Sequence, residues 1–390
     1  MAELRFFPGP TGPVTKPDYH AELLRSLERI VTFSPPVQTC STDYYFMGLW
    51  RGPTSIAYLF FRLSYIYPTL EFKGQSLLDW AKEYINLDDG RTGICLDHCG
   101  VVNDRIVKLA LRCAMTCDDS LVQQLCDCEM AMHYPGDQTY NEWFYGRAGY
   151  LYLLRMARDL GPSWSSRSTT RLSTTTKKII EDILRAPSPW RVDSKAYIGA
   201  LEGTVGIITQ ILLSDSSYIK QLTALIEKVI SQQLPSGNFP PCFKHHRQER
   251  DDRLVEFEHG APGVVISLQS LVKILPPSEL RREITRTIAR AQQCIRQRGF
   301  LTKSPCLQGG IAGNALAFAG ANSASQADFD RFLSEMTSEK LERRKDAWMD
   351  TAGYSDYFTG LYTGEAGRAW VWAVAEQGIE TATLIGYNDV

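Results

Sequence analysis

The stretch VEFEHGAPGVVISL, residues 255–268, sets two carboxylates, Glu256 and Glu258, just before a His259–Gly260 step and a nearly unbroken apolar run. A carboxylate at the start of a buried helix costs free energy unless a cation, a hydrogen-bond donor or a proton offsets it. Such residues could move protons, one acid protonated and its neighbour ionised. They could equally cap a helix or pair with an arginine such as Arg253 or Arg147. A second chemistry-bearing group is Cys95, Cys99, Cys113, Cys117, Cys126 and Cys128, with His98 inside CLDHC. Cys113 and Cys117 would share a helix face, but no Cys-x-x-Cys pair occurs. Free cysteine is among the most buried residue types, so packing thiols are the expectation.

The elements that must position these residues show in the glycines. A Gly-x-x-Gly step followed by an apolar run recurs in FYGRAGYLYLL, ALEGTVGIITQIL, FEHGAPGVVISL, LQGGIAGNALAFA and LYTGEAGRAWVWA. The second glycines stand at 149, 206, 263, 313 and 367, so they are 57, 57, 50 and 54 residues apart. Weaker copies lie upstream at Gly52 and Gly100. Each interval accommodates two helices and their turns. The glycine helices are apolar all round and should be buried. The segments between them are amphipathic, as in Leu280, Ile284, Ile288, Ala291 and Ile295, or Ile219, Leu222, Ile226 and Val229. This predicts an all-α fold, an α/α toroid of about seven helical hairpins. Residues 1–45 read as an N-terminal extension with the first outer helix, and 46–390 as a single barrel domain. Two stretches break the rhythm. The Ser/Thr-rich basic segment 163–178 is expected to be a solvated loop, and 233–256, with His245 and His246, a long connection.

Composition narrows the function. A chain of 390 residues with 44% apolar content can bury a large core. A net charge of −2 gives no field to attract nucleic acid, and no apolar run is long enough to span a bilayer. The start lacks the apolar region of a signal peptide, and ten cysteines without an export signal suggest reduced thiols in the cytoplasm.

Taken in order, NEWFYGRAGYLYLL, YIGALEGTVGI, PSGNFPPC, HGAPGVV, GIAGNALAF and LYTGEAG resemble the LanC-like proteins, which comprise bacterial lanthionine cyclases and their eukaryotic relatives. The likeness runs from about Arg51 to the end of the chain. It implies an α/α barrel with a zinc ion at its mouth, held by two cysteines and a histidine, where the metal lowers the pKa of an attacking thiol. Eukaryotic members bind glutathione.

This chain matches the glycine frame but departs from the implied ligands. Glu258 stands at the first cysteine position. The register of Gly310–Asn314 puts Gln308 and Gly309 at the second cysteine and the histidine, with Cys306 two residues too early. A further histidine position holds Glu202. The expectation is therefore no metal cofactor, with glutathione kept open as a co-substrate. The catalytic candidates are Glu202, Glu258, His259, Gln308 and Asp356. Tyr145, Tyr354 and Tyr357 would shape an apolar substrate, with Lys303 (at the place of a lysine that contacts glutathione) and Asn314 as further substrate-binding candidates. Three functions compete. One is an acid/base lyase, isomerase or cyclase acting on a small molecule. The second is a thiol-adding protein that uses glutathione. The third is an inactive protein that binds a peptide or protein partner in the cavity.

Overall fold

The computed structural model describes residues 5–37, 46–87, 98–116, 118–129, 140–161, 163–243, 249–319, 323–343 and 358–390. The helices among them are α1 (Tyr19–Phe33), α2 (Pro53–Ile66), α3 (Leu77–Ile85), α4 (Asp104–Thr116), α5 (Asp119–Asp127), α6 (Arg147–Leu160), α7 (Ser166–Arg185) and α8 (Thr204–Ser214). They continue as α9 (Ile219–Ile230), α10 (Ala261–Ile274), α11 (Glu279–Arg298), α12 (Ile311–Leu316), α13 (Ser323–Ser334), α14 (Ser338–Arg343) and α15 (Glu365–Gln377). A two-residue antiparallel pair, Glu71–Phe72 with Gln75–Ser76, leads into α3. The helical class expected from the repeat is the observed one.

The glycine signature has a clear local cause. The helices α2, α6, α8, α10, α12 and α15 begin at Gly52, Gly146, Gly203, Gly260, Gly310 and Gly364, none of which has a side chain to cap the first turn. The free N–H groups of those turns bond backward to carbonyls seven residues upstream. Arg147 N–H donates to Tyr140, Ala148 to Asn141, Thr204 to Tyr197, Val205 to Ile198 and Gly313 to Cys306, at 3.0–3.2 Å. The preceding turn thus lies directly against the helix start and satisfies its orphan donors. That closeness demands the second glycine. A Cβ on Gly149, Gly206 or Gly313 would lie 2.0 Å from the carbonyl oxygen of Trp143, Ala200 or Leu307.

The α10 start differs, because Pro262 removes a donor. Here the Asn238 side chain accepts from Ala261 N–H at 2.8 Å and donates to Leu254 O and Asp252 Oδ1. Gly260 sits at φ +105°, a conformation costly for other residues.

The glycine helices bury nearly every side chain: Thr204–Leu212 in α8 and Ala261–Leu268 in α10 are buried throughout. Each fully buried Ile or Leu contributes roughly 1.5–3 kcal/mol. Their partners bury one stripe: in α9 the predicted Leu222, Ile226 and Val229 are buried together with Ile230, whereas Ile219 is only half-buried. Segment 163–178 corrects the expectation of a solvated loop. From Ser166 onward it is helical, capped by Ser165, which accepts from Ser168 N–H at 3.3 Å. Leu172, Thr175, Ile179 and Ile183 form its buried stripe, and the Ser, Thr and basic residues supply the wet face. The stripe is narrow and the Ser/Thr content high, which masked the helical period.

The chain forms two compact units. One comprises Met1–Thr92, Val255–Phe257 and Gln292–Ile385; the other comprises Gly93–Leu254, Glu258–Ala291 and Gly386–Val390. Glu256 therefore belongs to the first unit and Glu258 to the second. In the first, α15 packs on α1, α2 and α12. In the second, α8 lies between α6 and α10. Tyr387 reaches Ser267 of α10 at 2.6 Å, and Arg155 of α6 binds Gln210 of α8.

Candidate functional site

In the second unit the turns ahead of α6, α8 and α10 each carry an acid close to the capping glycine: Glu142, Glu202 and Glu258. Glu142 is fully buried and curls back on its own turn, accepting from Tyr145 N–H at 2.9 Å and from Phe144 N–H. Burial pushes its pKa up to about 8, the Tyr145 N–H opposes that rise, and the charge of Glu202 adds to it. Glu202 is itself raised to about 7, first by burial, then by the charges of Glu258 and Asp193, with Lys195 opposing. Three acids thus share one electrostatic neighbourhood, and burial with their mutual charge pushes Glu142 and Glu202 up into the neutral range.

Polar and aromatic groups complete the cluster. His259 Nε2 lies 3.6 Å from Glu258 Oε1, and its ring stacks on Tyr197 at 5.6 Å and 13°. His259 Nδ1 is buried without a hydrogen-bond partner among the described residues. Gly199 allows the approach, since a Cβ there would lie 2.5 Å from the Glu258 carbonyl oxygen. Burial and then Glu202 raise the Tyr145 and Tyr197 hydroxyls. The His98 ring lies 4.4 Å from Tyr145.

Of the predicted residues, the structure brings together Glu202, Glu258, His259 and Tyr145. Sequence reasoning missed Glu142 and Tyr197. Both had a signal: Glu142 shares the turn ahead of a capping glycine, and Tyr197 occupies the place before α8 that Tyr140 occupies before α6.

The first unit holds the others. Gln308 is half-buried, its N–H donating to Tyr362 O at 3.0 Å. Asn314 is fully buried, and its amide bridges the carbonyls of Val255 and Gly299, both at 2.9 Å. Lys303 Nζ donates to Glu256 Oε2 at 2.6 Å. Asp356, Tyr354 and Tyr357 lie outside the described residues, as do Cys95, Cys117, His245 and His246. Cys113 and Cys126 are buried free thiols, and burial pushes them up to about 12 and about 11.

Residues 47–377 match the family described as lanthionine synthetase C-like protein. The chain belongs to that family. It is also 30% identical over 136 residues to the LanC-like protein GCL1 of Arabidopsis thaliana, a match spanning 34% of this chain and 29% of that relative. The chain therefore aligns with less than a third of that curated relative's length. Nisin cyclase superposes with a TM-score of 0.58 over 92% of this chain and 93% of its own, at 14% identity. That likeness shows the fold, the α/α toroid expected from the glycine repeat.

The zinc that this family implies would need its donors at the positions of Glu258, Gln308 and Gly309. Gly309 has no side chain to offer, and Gln308 brings a weakly donating amide. Cys306 is buried, and that burial raises its thiol above the ordinary range. Among the described residues no group of three or more His, Cys, Asp or Glu is arranged to hold a metal ion. Gln308 and Gly309 do not supply the cysteine and histidine side chains that the family implies at these positions.

Proposed function

We propose that this LanC-like chain is an acid/base enzyme, a lyase, isomerase or cyclase, that works on a small molecule without the family's zinc. The observation that carries this reading is the convergence of Glu142, Glu202 and Glu258 in three successive helix-entry turns, with Tyr145, Tyr197 and His259 against them. Glu202, protonated near neutrality, donates a proton to the substrate. Glu258, whose charge helps to keep that proton on Glu202, accepts one from the substrate and is oriented by His259. The Tyr145 and Tyr197 rings face an uncharged or electrophilic substrate, on which positive charge can develop. The reading places the protein in the cytoplasm, in keeping with its free thiols. Among the described residues no helix is long and apolar enough to cross a membrane.

The test joins metabolite profiling with and without the gene to turnover by purified protein. Products that disappear with the gene and with Glu202→Gln or Glu258→Gln support the assignment. Unchanged turnover in both variants overturns it.

A further inference from the structure

A cavity of about 250 Å³ lies in the first unit, between α1, α14 and the start of α15. Phe33, Pro305, Leu341 and Phe358 give it apolar walls, and Arg29 and Glu365 line it with charge. A dry apolar cavity of roughly 150 Å³ takes benzene, so this one has room for an aromatic ring and a short chain. Its charges do not balance. Glu365 Oε1 accepts from Arg29 Nη2 at 2.9 Å and from Arg368 Nε and Nη2 at 3.0 and 2.6 Å. Arg368 is fully engaged, since it also donates to Met336 O at 2.7 Å and to Ser26 Oγ at 3.2 Å. Arg29 is not. Its Nη2 adds only Ser338 Oγ at 3.1 Å, its Nε is buried without an acceptor, and its Nη1 bonds no described residue. One carboxylate thus serves two guanidiniums, and a positive charge is left over, which is costly away from water. The neighbouring acids do not take it up. Glu22 is held by Arg25 at 2.8 Å and by Ser338 N–H at 2.9 Å, and Glu342, on the same cavity, is exposed and makes no ion pair with Arg29. The Phe33 ring is 49% exposed where it meets Phe358 edge to face at 5.4 Å. Covering that ring removes apolar surface from water.

We propose that this cavity is a second binding site, for a small aromatic monocarboxylate. The carboxylate accepts from the idle donors of Arg29 and supplies the missing counter-charge. The ring lies against Phe33, Pro305, Leu341 and Phe358. A cationic ligand would add to the surplus charge, and a neutral one would leave it in place. The site belongs wholly to the first unit, whereas Glu142, Glu202 and Glu258 belong to the second. It therefore requires nothing of the acid/base reading.

The experiment reads binding, not turnover, so its failure is separable from failure of the acid/base reading. Calorimetric titration of the full chain with 3-phenylpropanoate should give saturable binding with a Kd of about 0.1–1 mM. Its amide, which has the same shape without the charge, should bind about tenfold more weakly or not at all. Acetate, the charge without the ring, should not bind in this range. Arg29→Gln should weaken 3-phenylpropanoate binding by about tenfold or more. Phe33→Ala should weaken it by about threefold or more, and its exposed ring makes that variant safe for folding. No binding at about 10 mM overturns the proposal. So does an amide or an acetate that binds as tightly as the acid, or parental affinity in Arg29→Gln or in Phe33→Ala. If Arg29→Gln does not fold, the amide comparison and Phe33→Ala decide the question by the same criteria.

Discussion

The His259 ring lies nearly parallel to Tyr197, 5.6 Å from centroid to centroid, with its Nε2 3.6 Å from the Glu258 carboxylate. Tyr197 stands in the turn before α8 and His259 in the turn before α10, so the stack joins two helix entries that the repeat generates separately. Glu202 in the same α8 turn feels the charge of Glu258. The candidate chemistry follows from that joining.

Glu202 carries its proton up to about pH 7, so a reaction needing it as an acid loses rate as the pH rises through that value. Glu258→Gln removes one of the charges that hold the proton there. In that variant the alkaline limb of the pH–rate profile should move to lower pH, alongside a fall in turnover of about 10²-fold or more. A limb that stays in place would show that Glu258 does not act on Glu202.

Glu142 should make the protein less stable in mild alkali. Its folded pKa of about 8 lies above its ordinary value of 4.5, so the folded state holds a proton that the unfolded chain has released. Stability from this group is therefore intact below about pH 4.5 and declines as the pH rises toward about 8. Glu142→Gln should flatten that decline, seen as a higher thermal midpoint than the parent at pH 8 and little difference at pH 5.

Gly206 and Gly309 should respond to alanine very differently. At Gly206 the new Cβ would meet the Ala200 carbonyl oxygen at 2.0 Å, a backbone atom that cannot yield without moving α8. Gly206→Ala should cost about 3 kcal/mol or more, or prevent folding. At Gly309 the contacts are side-chain tips at 3.3 Å, and the loss should be far smaller. Urea denaturation of the two variants compares them directly.

Asn238→Ala removes the acceptor for Ala261 N–H and the donor to Leu254 O and Asp252. The expected loss is about 2–3 kcal/mol in unfolding free energy. The α10 entry should open first, with faster amide hydrogen exchange at Ala261.

Much of this protein was legible in its residues one by one. The glycine spacing, the all-round apolar helices and the amphipathic ones between them specify hairpins, because a buried helix start without a capping side chain requires a close backbone neighbour and therefore glycine. The acids Glu202 and Glu258 were visible because the glycine frame places them where the resemblance implies a histidine and a cysteine, and the Tyr145 ring because it stands beside a capping glycine. The amino-acid order could not say which of Glu256 and Glu258 meets a cation and which meets another acid. Neighbouring residues in an irregular turn can point to different surroundings, and here they fall in different compact units. Nor could it show that Glu142 folds its carboxylate back on its own N–H groups, that segment 163–178 buries a stripe, or that Lys303 closes on Glu256 beside Gly309. Those outcomes depend on which groups from distant segments share a buried space, and burial and the local field are properties of packing, not of any residue alone.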